Sequence, residues 1–112
     1  MSELKDLIQK TLLEKQAKNM VVIDMTSVSP FTDYFIIVTA NNLRHAGALS
    51  DYVQNAAAEN GYDIRSVEGD SDSTWLLVDL YEVIVHIFTE ETRQQYRLET
   101  LWADQPQEYI TD

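Results

Sequence analysis

An α/β fold is predicted by three features of this 112-residue chain: two amphipathic helical patterns with a third helix signal near the end, five short β-rich runs, and turn signals between them. Their order, α-β-β-α-β-β-β-α, implies a single domain with a mixed five-stranded sheet flanked by helices. The domain is expected to occupy residues 1–104, with residues 105–112 as a C-terminal tail.

The first helix is read over Ser2 to Lys18. Leu4, Leu7, Ile8 and Leu12 fall on one stripe, Ser2 suits the N-cap, and Asn19 suits a left-handed stop. Met20 to Met25 is a continuous apolar run, as expected of a strand buried on both faces. Ser29–Pro30 marks a loop, and Asp33 to Thr39 is a second, aromatic and β-branched strand. The intervening link permits either a hairpin or a crossover. Asn41 and Asn42 are capping candidates for a second helix with a buried stripe at Ala46, Leu49, Val53 and Ala56 or Ala57, stopped at Asn60–Gly61. A third strand is read at Tyr62 to Val67, followed by the polar turn Glu68 to Ser73.

The stretch from Thr74 to Trp102 organises the rest. It contains two strands, Thr74–Leu80 and Val83–Phe88, then a helix signal at Thr89 and a segment carrying Tyr96, Leu98, Leu101 and Trp102. Strand alternation puts Trp75, Leu77 and Asp79 on one face and Leu76, Val78 and Leu80 on the other. The tail after Trp102 has no periodic apolar pattern and is expected to be loosely ordered.

The charge narrows the function classes. The net charge is −11, with −2 in residues 1–60 and −9 in residues 61–112. No Lys/Arg cluster suited to DNA or RNA phosphate is present, whereas an acidic half suits a basic protein partner or simply keeps the chain soluble. With no cysteine there is no disulfide or thiolate chemistry. The apolar runs fall far short of the ~20 residues that span a bilayer, and the N-terminus lacks a signal-peptide pattern. A soluble, cytoplasmic protein with no membrane partner is expected.

Candidate chemistry is sparse. Asp70-x-Asp72 has the spacing of a Mg²⁺ pair, but it lies in a Ser-rich turn without a phosphate-cradling glycine loop, so a solvated turn is the simpler reading. His86, inside the Val83–Phe88 strand, is either a base or a buried, neutral, hydrogen-bonded side chain. Whether His45 meets it is open. No nucleophile motif or metal-ligand spacing occurs, and neither a cofactor nor catalysis is expected. The remaining constellation is aromatic and acidic: Trp75, Tyr81, Tyr96 and Trp102, with Glu68, Asp70, Asp72, Asp79 and Glu82 around the first two. If Leu76 and Val78 face the core, Trp75 and Leu77 either form an interface hot spot or lie beneath a helix of the same chain.

Six segments make the pattern specific: Asp33–Thr39, Arg44–His45, Val67–Gly69, Trp75–Asp79, Val83–His86 and Arg93–Trp102. In order and spacing they resemble the Iojap family, whose bacterial members are called ribosomal silencing factors, over roughly residues 3–104. The resemblance implies a mixed five-stranded α/β fold, distantly similar to nucleotidyltransferases but without their catalytic residues. It also implies binding to the large (50S) ribosomal subunit through universal large-subunit ribosomal protein fourteen. Bound there, family members obstruct joining of the small subunit when nutrients are short; organellar relatives act in large-subunit assembly. Two departures stand out. The family's D-x-G-D turn reads Asp79-Leu80-Tyr81-Glu82, so either the turn changes type or Tyr81 takes a conformation that favours glycine. The family's T-G-x-S reads Thr39-Ala40-Asn41-Asn42.

These readings converge on a translation repressor acting by steric occlusion. Trp75 and Leu77 are the expected anchors, Asp79 and Glu82 the electrostatic partners, and Tyr81, Tyr96, Glu99 and Trp102 a second contact ridge. The alternatives are a large-subunit assembly factor, a metal-dependent nucleotidyl-transfer enzyme, and a homodimer that pairs its aromatic face with itself when free.

Overall fold

In the computed structural model, which describes residues 2–110, ten elements follow one another. They are α1 (Glu3–Glu14), β1 (Lys18–Asp24), β2 (Tyr34–Ala40), α2 (Leu43–Glu59), β3 (Ser66–Glu68), β4 (Trp75–Asp79), β5 (Val83–Thr89), α3 (Glu90–Tyr96), α4 (Leu98–Leu101) and β6 (Gln107–Ile110). The strands form one sheet in the order β3-β4-β5-β2-β1-β6. All neighbours are antiparallel except β2 and β5, which run parallel in unbroken register from Tyr34 opposite Val83 to Ala40 opposite Thr89. The link between β1 and β2 therefore makes an antiparallel pair, and α2, β3 and β4 fill the crossover that a parallel pair requires.

The predicted mixed α/β architecture is present, with six strands in place of five. The sixth comes from the tail that was expected to be loose. Residues 107–110 pair antiparallel with Met20–Ile23 of β1, and Asp24 N–H donates to the Pro106 carbonyl at 2.9 Å. A four-residue edge strand leaves little periodicity to read, and its order comes from the neighbouring strand. Thr111 and Asp112 lie outside the described residues.

Helix ends differ from expectation for a definable reason. α1 stops at Glu14, four residues before Lys18, in a Schellman arrangement: Gln16 at φ 66°, with Ala17 N–H donating to Leu12 O and Gln16 N–H to Leu13 O. Asn19 does have positive φ (51°), but it sits in β1, where the register shifts between Lys18 and Val21. α2 matches its prediction. Asn42 accepts from His45 N–H at the start, and Gly61 at φ 81° supplies the left-handed stop beyond Asn60. The third strand is shorter than predicted and begins only at Ser66.

Two apolar layers flank the sheet. On one face, Leu4, Ile8 and Leu12 of α1 and Ala46, Leu49, Val53 and Ala57 of α2 bury Val22, Ile36, Val38, Leu76, Val78, Val85 and Ile87. The other face carries a smaller cluster of Val21, Ile23, Met25, Ile37 and Phe88, with Phe35, Trp75, Leu98 and Trp102 packed against it. The short α3 and α4 cover only part of that face.

Arg93 fixes this partial cover. It is 7% exposed. Its Nη1 donates to the Asn19 carbonyl and to Thr39 Oγ1, and its Nε lies 3.4 Å from Glu99 Oε2. One guanidinium thus ties α3 to the β1 bulge, to the end of β2 and to α4. Gln107 adds a second tie from β6, donating to the carbonyls of Glu99 and Trp102 at 2.7 and 3.0 Å. Arg93→Ala would leave Glu99 without its cation and two acceptors unserved. A loss of about 3 kcal/mol is expected, measured as a fall in the urea midpoint at unchanged slope.

Candidate docking surface

Strand pairing assembles the partly covered face. Leu77 on β4 lies opposite His86 on β5, and His86 in turn lies opposite Ile37 on β2. Trp75 faces Phe88, and Ile84 lies between Asp79 and Phe35. The aromatic rings form a connected series. Trp102 meets Phe35 edge-on at 6.3 Å, and Phe35 meets His86 at 4.7 Å. Trp75 stands 4.9 Å from both Phe88 and Tyr96. Such pairs are each worth about 0.5–1.5 kcal/mol beyond their burial. They hold the strand face and the helix pair as one surface.

Trp75 is covered in part by a helix of the same chain. Its ring lies between Phe88 and Tyr96 and is half-buried, while Leu77, Ile84 and Phe35 remain half-exposed on a stretch that α3 and α4 do not cover. Tyr96 is half-exposed beside them, and Leu101 on α4 is largely so.

The other predicted residues divide. Asp79, Tyr81 and Glu82 gather at the β4–β5 turn. Asp79 is 9% exposed and engaged internally: its Oδ2 receives Arg65 Nε and Nη2, both at 2.9 Å, and its Oδ1 receives the N–H of Tyr81. Glu82 accepts a hydrogen bond from Ser2, the N-cap of α1, and its carbonyl receives the N–H groups of Asp33 and Tyr34. These two carboxylates therefore stabilise the turn. The outward negative charge comes from exposed Glu68, Asp70 and Asp72. Glu99 faces away from this surface, toward Arg93.

Tyr81 stands in the turn at φ 72°, a conformation that favours glycine, so its side chain bears the strain. The Arg65 guanidinium lies 4.8 Å over its ring, which offsets part of the cost. Replacing Tyr81 separates the two effects. Tyr81→Ala keeps the strain and loses the ring, so it should be less stable than Tyr81→Gly by about 1 kcal/mol in chemical denaturation.

His86 is buried, and Trp75 Nε1 donates to its Nδ1 at 3.1 Å, which makes it the orienting partner of Trp75. Burial lowers its pKa from 6.5 to about 4, against a smaller opposite pull from Asp79. The neutral ring is what an Nδ1 acceptor requires. Because the folded pKa lies below the unfolded one, the unfolded chain takes up the proton first as pH falls. Stability on the order of 3 kcal/mol should drain away between pH 6.5 and about 4. A pH series of urea midpoints should show that step, and His86→Gln should flatten it.

His45 does not meet His86. Its Nδ1 accepts from Asn41 N–H and its Nε2 donates to the Lys15 carbonyl, joining the end of α1 to the start of α2. Asp70 and Asp72 share a solvated turn in which Asp70 Oδ1 receives Asp72 N–H. Among the described residues, no group of three His, Cys, Asp or Glu side chains converges as a metal site, and no helix is long and apolar enough to cross a membrane. Sequence reasoning missed Phe35, Ile84 and Arg65. Alternation could place Phe35 and Ile37 on a common face, but their adjacency to His86 depends on a strand order that local patterns do not carry.

Comparison with known proteins gives a consistent result. The family model described as "Ribosomal silencing factor during starvation" matches residues 1–112. A Bacillus subtilis ribosomal silencing factor is 37% identical over 83% of this chain and 79% of its own length. A mouse protein named "Mitochondrial assembly of ribosomal large subunit protein 1" is 29% identical over 89% of this chain and 44% of its own. A crystal structure from Bacillus halodurans superposes with a TM-score of 0.84 at 31% identity, covering 96% of this chain and 98% of that one. One from Chromobacterium violaceum reaches 0.87 at 29% identity, covering 100% and 95%.

Proposed function

The chain belongs to the ribosomal silencing factor family, and from that premise we propose that it docks on the large ribosomal subunit through universal large-subunit ribosomal protein fourteen and blocks joining of the small subunit. The observation that carries the reading is the half-covered sheet face. Trp75, Leu77, Ile84 and Phe35 lie in one patch, bounded by Tyr96 and Trp102 on the helix side and by Glu68 on β3. Half-buried aromatics held rigidly by their neighbours lose little entropy on binding, which suits them as anchors. The exposed carboxylates at the β3–β4 end suit a basic ribosomal protein and speed encounter more than they add affinity.

Tyr81 is exposed at the β4–β5 turn, and Asp79 and Glu82 act by fixing the turn on which it stands. Silencing requires no bond-making step. A rigid domain on the joining face of the large subunit occupies space that the small subunit needs, and the inhibition is steric. A role in large-subunit assembly, favoured by the name of the mouse relative, would use the same docking.

Sucrose-gradient sedimentation with purified large and small subunits tests the reading. The protein should migrate with the large subunit and deplete the joined ribosome. Leu77→Lys places a cation in the patch without emptying the core. It should weaken docking by about 2 kcal/mol or more, whereas Tyr52→Lys on the opposite side of the domain should not. Docking unaffected by Leu77→Lys and Trp75→Ala together would move the surface elsewhere. A dimer that persists at nanomolar concentration in native mass spectrometry would favour self-pairing of this face.

A further inference from the structure

A concavity lies beside α3, apart from the docking patch. Its volume is about 840 Å³, within the range of small-molecule sites, and the start of β1, the end of β2, α3, α4 and β6 line it. We propose that this groove binds a small molecule bearing a terminal phosphate or polyphosphate group, held by Arg93, Arg97 and Lys18.

Local charge is the first ground. The chain has only eight Lys and Arg residues and a net charge of −11. Three of those eight line this groove, against two carboxylates, Glu90 and Glu99. The local sign is therefore opposite to that of the chain as a whole. Among the described residues, neither Lys18 nor Arg97 has an ion-pair partner.

Backbone geometry is the second. Asn19, next to Lys18, lies at φ 51° in the β1 bulge, and Arg97 itself lies at φ 48°, where it separates α3 from α4. Two non-glycine residues in the left-handed region, each costing about 1 kcal/mol, give the groove its walls.

The third is the floor. Arg93 is immobilised through Nη1 and Nε, and among the described residues its Nη2 has no hydrogen-bond partner. A fixed guanidinium with a spare donor edge is pre-organised for an oxyanion. Beside it, Glu99 Oε1 is buried and unpartnered, an acceptor for a hydroxyl on the organic part of the ligand. The ring of Tyr109, 67% exposed, offers a flat apolar wall for the organic part of the ligand.

This assignment does not depend on ribosome docking, and neither does its test. Inorganic pyrophosphate is titrated into the ¹⁵N-labelled full chain. Saturable shifts should centre on the amides of Asn19, Thr39, Arg97 and Tyr109, with half-saturation below the millimolar range. The Lys18→Gln/Arg97→Gln variant leaves the Arg93 ties intact. It should bind at least about tenfold more weakly, the loss expected when two charge-assisted contacts go, with an unchanged spectrum elsewhere. Linear, unsaturated shifts, shifts centred on another part of the surface, or equal binding by the variant would overturn the proposal. A short single-stranded RNA serves as the second probe. Its phosphodiesters lack a dianionic terminus, so it should bind more weakly than pyrophosphate. Tighter RNA binding at the same amides would overturn the small-molecule assignment.

Discussion

The surface of this domain depends on one pairing, the parallel register of β2 with β5. It sets Phe35 beside Ile84 and Ile37 beside His86, and through the antiparallel β4 it brings Trp75 and Leu77 onto the same plane. A parallel pair is satisfied only if the chain travels back across the sheet. Here that return carries α2 over one face and delivers β3 and β4 to the far edge. The covered face thereby receives α2 beside α1, and the other is left to the short α3 and α4. The partial exposure of the aromatic patch is thus a consequence of topology.

The same pairing explains what could be read from residues alone. Leu76, Val78, Val83, Val85 and Ile87 announce a core face by strict alternation, and all are buried. The start and stop of α2 are written in Asn42 and Asn60–Gly61, because capping chemistry is local. The family resemblance, carried by blocks along the chain, agrees with the family match. Longer-range features were not legible. β6 owes its order to β1, and Asp79 looked like a free carboxylate because Arg65 lies fourteen residues away in sequence. Glu99 likewise read as part of a contact ridge until α4 turned it toward Arg93.

The turn at Tyr81 shows how a residue with a side chain is held at positive φ. Asp79 accepts the Tyr81 N–H, Arg65 anchors Asp79 and covers the Tyr81 ring, and Ser2 holds Glu82 from the start of α1. Each contact is modest by itself, and the exposed ones are screened by solvent. Together they confine the turn to one conformation despite a positive φ. Carboxylates that composition assigns to a partner therefore serve to fix shape, and the outward charge falls to the exposed Glu68, Asp70 and Asp72.

Arg93 places a different constraint on the helix pair. Because one guanidinium joins α3, α4, β1 and β2, a change in the groove behind it bears on the position of α3, and Tyr96 stands one helical turn further on, against Trp75. Charge and packing thus meet in a seven-residue helix with a cation on one side and an aromatic contact on another. A longer helix would average such a local displacement along its length. One of two turns, pinned at a single side chain and interrupted at Arg97, has little length over which to dissipate it. The groove and the aromatic patch thus lie on two sides of one short helix, and no side chain belongs to both.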